Sequence, residues 1–117
     1  MKENIVLTKS KSFAVRIIRL YQYLCRERRE YVISKQILRC GTSVGANIKE
    51  ALRGQSSADF AAKMNIALKE ASETEYWLEL LYETDYINKK QFISIYVDCQ
   101  EVIKLLYSIV KTTREKL

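Results

Sequence analysis

Not one proline occurs in the sequence, and only three glycines do, at Gly41, Gly45 and Gly54. A chain of 117 residues with so few breakers has little means of turning often. Long helices become the default, and turn-dense β folds, collagen-like chains and Pro/Gly-rich linkers are excluded. Apolar residues recur at helical spacing in four stretches, expected at about 9–29, 34–53, 57–84 and 88–115 of a single domain covering 1–117. Joined by short connections, four such rods predict an all-α, antiparallel up-down-up-down four-helix bundle.

The stripes give the expected core. Phe13, Ile17, Leu20 and Leu24 line the first helix, widened by Ala14, Ile18, Tyr21 and Cys25. Ile37, Gly41, Val44, Ile48 and Ala51 line the second, with Ser34 as its N-cap and Gly54 closing it. Gly41 and Gly45, with Ala46, let a neighbouring helix approach closely. Ser56 with Asp59 predicts a cap for the third helix, lined by Phe60, Met64, Ala67, Ala71, Thr74, Leu78 and Leu81. Asn88 with Gln91 predicts a capping box for the fourth, lined by Phe92, Ile95, Cys99, Val102, Leu106 and Ile109.

Several chemistries are missing. Histidine is absent, and with it the commonest general base and metal ligand. Cys25, Cys40 and Cys99 lie too far apart for a Cys-x-x-Cys motif and read as buried thiols in a reducing, cytoplasmic compartment. Gly41-Thr42-Ser43-Val44-Gly45 resembles a phosphate loop but lacks the Gly-Lys-Ser/Thr ending. Glu70 and Glu73 lie one turn apart near Lys63 and Lys69, a pattern that favours ion pairing over acid–base catalysis. No acidic cluster has metal-ligand spacing. The expectation is therefore no catalysis, no cofactor and no metal. No apolar run is long enough for a membrane span, and Ile5-Val6-Leu7 is too short for a secretory signal.

The net charge of +6 is unevenly spread: +8 over residues 1–53, −5 over 54–87 and +3 over 88–117. Two readings compete. In one, Arg16, Arg19 and Arg26, with Tyr23 among them, continue through Arg28, Arg29, Lys35 and Arg39 as a polyanion-binding face for RNA or DNA. In the other, the cations form a solvated face that attracts the acidic third helix. A second strip gathers Ile66, Glu70, Glu73 and Trp77 on one flank of the third helix, and Arg39, Ser43, Asn47 and Glu50 on one flank of the second. Such strips suit a polar inter-helix network or an inter-subunit contact, with Ile66 and Trp77 as interface anchors. A basic surface meeting an acidic one is a heterologous contact, which closes into a ring when the rotation permits.

Ser34-Lys35-Gln36-Ile37-Leu38-Arg39, Gly41 to Ala51, Gln55 to Phe60, Lys69 to Thr74 and Tyr76 to Leu81, with the leading Lys11 to Ile17, resemble the bacterial family that includes the 23S ribosomal RNA intervening-sequence proteins. The resemblance covers nearly the whole chain. It implies a four-helix bundle, often a pentameric ring with a central channel, and no established catalysis. A related branch, the accessory variability proteins of diversity-generating retroelements, forms a basic pentamer that binds nucleic acid and a reverse transcriptase. That partner carries over by analogy alone. The family's recurrent polar positions fall on Arg39, Ser43, Asn47, Glu50 and Glu73. The expectation is a homo-oligomeric, non-enzymatic bundle that contacts RNA or DNA, the alternative being an interaction module without nucleic acid.

Overall fold

The structure, a computed structural model, describes residues 2–117, with side-chain surroundings from Asn4 onward. Four helices account for most of it: α1 (Lys2–Arg26), α2 (Ile33–Leu52), α3 (Ser57–Glu83) and α4 (Lys89–Lys116). Connections of six, four and five residues leave sequential helices only room to run antiparallel. The result is a rod of 45 × 21 × 19 Å. The helices form a square in which α1 and α3 each touch α2 and α4, the α2–α3 contact being the most extensive and α1–α4 the least.

The apolar stripes meet along the rod axis. Phe13, Ile17 and Leu24 from α1 join Ile37, Val44 and Ile48 from α2, Met64, Ala71 and Leu78 from α3, and Cys99, Val102 and Leu106 from α4, all buried. Leu20, Phe60 and Phe92 pack at the edges of this core. Ile18, expected to widen the stripe of α1, faces solvent instead, 40% exposed. Gly41 permits the α1–α2 crossing. A Cβ there would stand 2.8 Å from both Cγ atoms of Ile17, and one on Gly45 would stand 3.3 Å from the Ser10 hydroxyl.

Helix ends correct the sequence reading in four places. α1 begins at Lys2 rather than Lys9, because Val6 continues the buried stripe one heptad above Phe13 and Ser10 Oγ donates to the Leu7 carbonyl at 3.0 Å. It ends at Arg26 rather than Arg29, because Arg29 turns the chain through the left-handed region at φ 52° and the Glu30 N–H returns to the Leu24 carbonyl. Ser34 is not the N-cap of α2. It is buried in the first turn, and the Glu30 carboxylate caps the helix, accepting from the N–H groups of Val32, Ile33 and Ser34 at 3.2, 3.1 and 2.7 Å. Gly54 does not end α2 through a left-handed turn, since no glycine has positive φ among the described residues. It sits where a Cβ would approach the Ala51 carbonyl at 3.1 Å and Asp59 Cβ at 3.3 Å.

The other caps match the sequence. Ser56 Oγ accepts from Asp59 N–H at 3.0 Å, and Asn88 and Gln91 make both bonds of a capping box. α3 closes with Asp85 at φ 67°, the Asp85 N–H bonded to Tyr82 and the Tyr86 N–H to Leu81, which is the Schellman pattern. The thiols also differ from uniform burial, since Cys40 and Cys99 are buried but Cys25 is only half-buried.

Candidate functional site

The up-down-up-down order brings the α1–α2 and α3–α4 connections to the same end of the rod. That end collects Arg26, Arg28, Arg29 and Lys35 from the first pair of helices, and Lys89 and Lys90 from the start of α4. Sequence reasoning missed Lys89 and Lys90, although the antiparallel order already implied that they lie beside the arginine run.

The seven cations expected to face a polyanion divide into two groups. Three are engaged within the chain. Arg16 clamps α1 to α4, its Nη1 donating to Asp98 Oδ2 at 2.6 Å and to the Ser94 carbonyl at 2.9 Å, and its Nη2 to Ser94 Oγ at 2.8 Å. Arg28 ties the two connections together. It donates to the carbonyls of Asp85 and Tyr86 at 2.9 and 2.8 Å, and its guanidinium lies 5.2 Å from the centre of the Tyr86 ring. Arg39 reaches across to α3, donating to Glu73 Oε2 at 2.7 Å and Glu70 Oε2 at 3.4 Å. The remaining four are Arg19, Arg26, Arg29 and Lys35. All are exposed, and none pairs with an acid among the described residues. Arg19 donates only to Gln22, at 3.3 Å. Tyr23, expected among these cations as a stacking surface, packs against the core instead. The exposed aromatic at this end is Tyr31.

The second strip divides as well. The cation that neutralises Glu70 and Glu73 is Arg39 rather than the neighbouring lysines, for Lys63 pairs with Glu50 at 3.0 Å. The Trp77 indole N–H donates to Glu73 Oε2 at 3.0 Å. That bond, followed by the Arg39 guanidinium, holds the Glu73 carboxyl below the usual carboxylate range. Ser43 Oγ and Asn47 Nδ2 donate back to their own helix, to the carbonyls of Arg39 and Ser43 at 2.7 and 2.8 Å. There is thus no continuous Arg–Ser–Asn–Glu network. An Arg39–Glu70–Glu73–Trp77 cluster and a separate Glu50–Lys63 pair replace it. Ile66 lies 39% exposed, and the Tyr76 ring, 54% exposed, leans on Trp77 with centroids 5.5 Å apart. Tyr76 is a candidate interface residue that sequence reasoning overlooked.

An ionised Glu73 held by two donors is poorly suited to carry a proton. Burial pushes the Cys40 thiol up to about 11, and drives that of Cys99 further in the same direction. Among the described residues no three His, Cys, Asp or Glu side chains gather as a metal site. No helix among them is long and apolar enough to cross a membrane. The arrangement can bind anions at one end and offer a mixed apolar and charged strip along α2 and α3.

The sequence matches the model of the family described as 23S rRNA-intervening sequence protein over residues 2–108. The chain belongs to that family. No curated protein matches it. A crystal structure from the S23 ribosomal protein family, of a Bacteroides thetaiotaomicron VPI-5482 protein with unknown function, is 61% identical in sequence. The match covers 95% of this chain and 99% of that one, with a TM-score of 0.93. That agreement establishes the four-helix arrangement.

Proposed function

We propose that this chain is a non-enzymatic, ring-forming bundle that binds RNA or DNA through the basic end formed by α1 and α2. One observation carries the reading. Once internal pairing is taken into account, Arg26, Arg29 and Lys35 remain exposed at one end of the rod without an acidic partner among the described residues, and Lys89 and Lys90 lie at the same end. Exposed, unpaired cations gathered at one tip suit phosphate contacts, whose affinity depends on positive charge. Arg26, Arg29 and Lys35 changed together to Glu should abolish binding to a mixed RNA pool at low salt, and the affinity of the unaltered protein should fall steeply as salt rises. Binding insensitive to both changes would overturn the reading. Arg16 is left out of that variant, because its clamp on Asp98 and Ser94 serves the fold.

A second reading, assembly without nucleic acid, is favoured by the strip on α2 and α3. Tyr76 is exposed against a half-buried Trp77, and Ile66 is exposed about three turns earlier on the same helix, a mixture typical of interface anchors. The ring itself is tested by mass. Light scattering at micromolar concentration should return a multiple of the 13.7 kDa chain, five being the favoured number, and the monomer mass would remove it.

A further inference from the structure

The connection between α1 and α2 is held at two points. Arg28 reaches across the surface to the carbonyls of Asp85 and Tyr86. Glu30 turns inward and is buried against three N–H groups at the start of α2. With both anchored, the intervening Arg29 and the following Tyr31 and Val32 can only point outward, and Tyr31 and Val32 are 51% and 73% exposed. Arg29 holds this position at φ 52°, a left-handed conformation in which glycine would be less strained. Nothing in the fold requires an arginine in that strained position or an aromatic ring in solvent beside it.

We propose that this tip reads unpaired nucleic acid: Tyr31, extended by Val32, stacks on an exposed base, while Arg26, Arg29 and Lys35 hold the flanking phosphates. The inference rests on the polyanion reading above and specifies the class of nucleic acid. An aromatic face flanked by cations suits single strands, whose bases are free to stack. A duplex presents its bases only within grooves, where a ring at a helix-bundle tip cannot stack on them. The bonds of Arg28 and Glu30 pin the backbone on either side of Arg29, which lowers the ordering cost of contact.

Fluorescence anisotropy with a short single-stranded RNA, and with a duplex of the same length, tests the assignment on the full chain. The single strand should bind more tightly. Tyr31→Ser should weaken single-strand binding about tenfold and leave duplex binding unchanged, while Tyr31→Phe should bind as the unaltered protein does. Arg29→Gly removes the cation and relieves the backbone. It should keep or raise the melting temperature, yet lower the slope of log affinity against log salt by about 0.7 on single strands. If both ligands bind equally and Tyr31→Ser changes nothing, while the Arg26, Arg29 and Lys35 charge reversal abolishes binding, the single-strand inference fails and the polyanion reading stands. If neither ligand binds at low salt, both fail. If Tyr31→Ser changes the assembled mass instead of RNA affinity, the tip is a contact between copies and the inference is overturned.

Discussion

Glu73 illustrates how a single carboxylate can take its charge state from two neighbours. The Trp77 indole N–H and the Arg39 guanidinium both stabilise its ionised form, so its proton is released at lower pH in the folded chain than in the unfolded one. This contribution is complete above the unfolded value of about 4.3 and is lost as pH falls through the lower folded value. The pair is partly exposed, with side-chain exposures of 53% and 35%. Its contribution is accordingly about 0.5 kcal/mol. Glu73→Gln should therefore cost about that much at neutral pH and converge with the unaltered protein in acid, as followed by urea unfolding across a pH series. Sequence spacing set Glu73 near lysines of its own helix and, in a second reading, in a polar network with Arg39, but it could not choose between them, because the partner depends on how α2 and α3 are set against each other.

At the scale of elements, helix approach is set by what the glycines omit. A Cβ on Gly41 would press both Cγ atoms of Ile17 at 2.8 Å, and neither α1 nor α2 can yield without disturbing the core beneath. Gly41→Ala should therefore destabilise by about 1–2 kcal/mol, even though alanine is the better helix former. Gly45→Ala, facing Ser10 Oγ at 3.3 Å, should be nearly neutral in the same chemical denaturation experiment. Adding Ile17→Ala to Gly41→Ala should cost less than the two single changes summed, since one vacates the space that the other fills. The helices and their stripes were legible because Phe13, Val44, Met64 and Val102 sit in repeats that any helix must obey. The start of α2 was not. Its cap is a carboxylate reaching forward from Glu30, in place of the usual side chain at the helix boundary. The left-handed turns at Arg29 and Asp85 were equally hidden, because neither residue is a glycine.

For the whole molecule, the thiols report on opening. Cys25 is half-buried beside Ser34, whereas Cys40 and Cys99 lie in the core, where burial raises both thiols. A thiol-specific reagent on the folded protein should modify Cys25 first, and the other two only as fast as the bundle opens. Mass spectrometry of a labelling time course checks this, and equal rates at all three would contradict it. The candidate site was only partly legible at this scale. Arg26, Arg29 and Lys35 stand in a stretch of the sequence dense in cations though broken by Glu27 and Glu30, but the antiparallel order adds Lys89 and Lys90, and the fold ties Arg16 and Arg28 into its own joints.

The contact between α1 and α4 is the slightest of the four and is fastened at its rim by Lys9–Glu101 and Arg16–Asp98. Exposed pairs of this kind weaken as ions accumulate around them. The α2–α3 edge carries exposed pairs too, Arg39 with Glu70 and Glu73 and Lys63 with Glu50, but it closes over a broader contact, so concentrated electrolyte should slacken the α1–α4 edge more than the one opposite. The narrow wall of the stack is thus the one that leans hardest on surface charge.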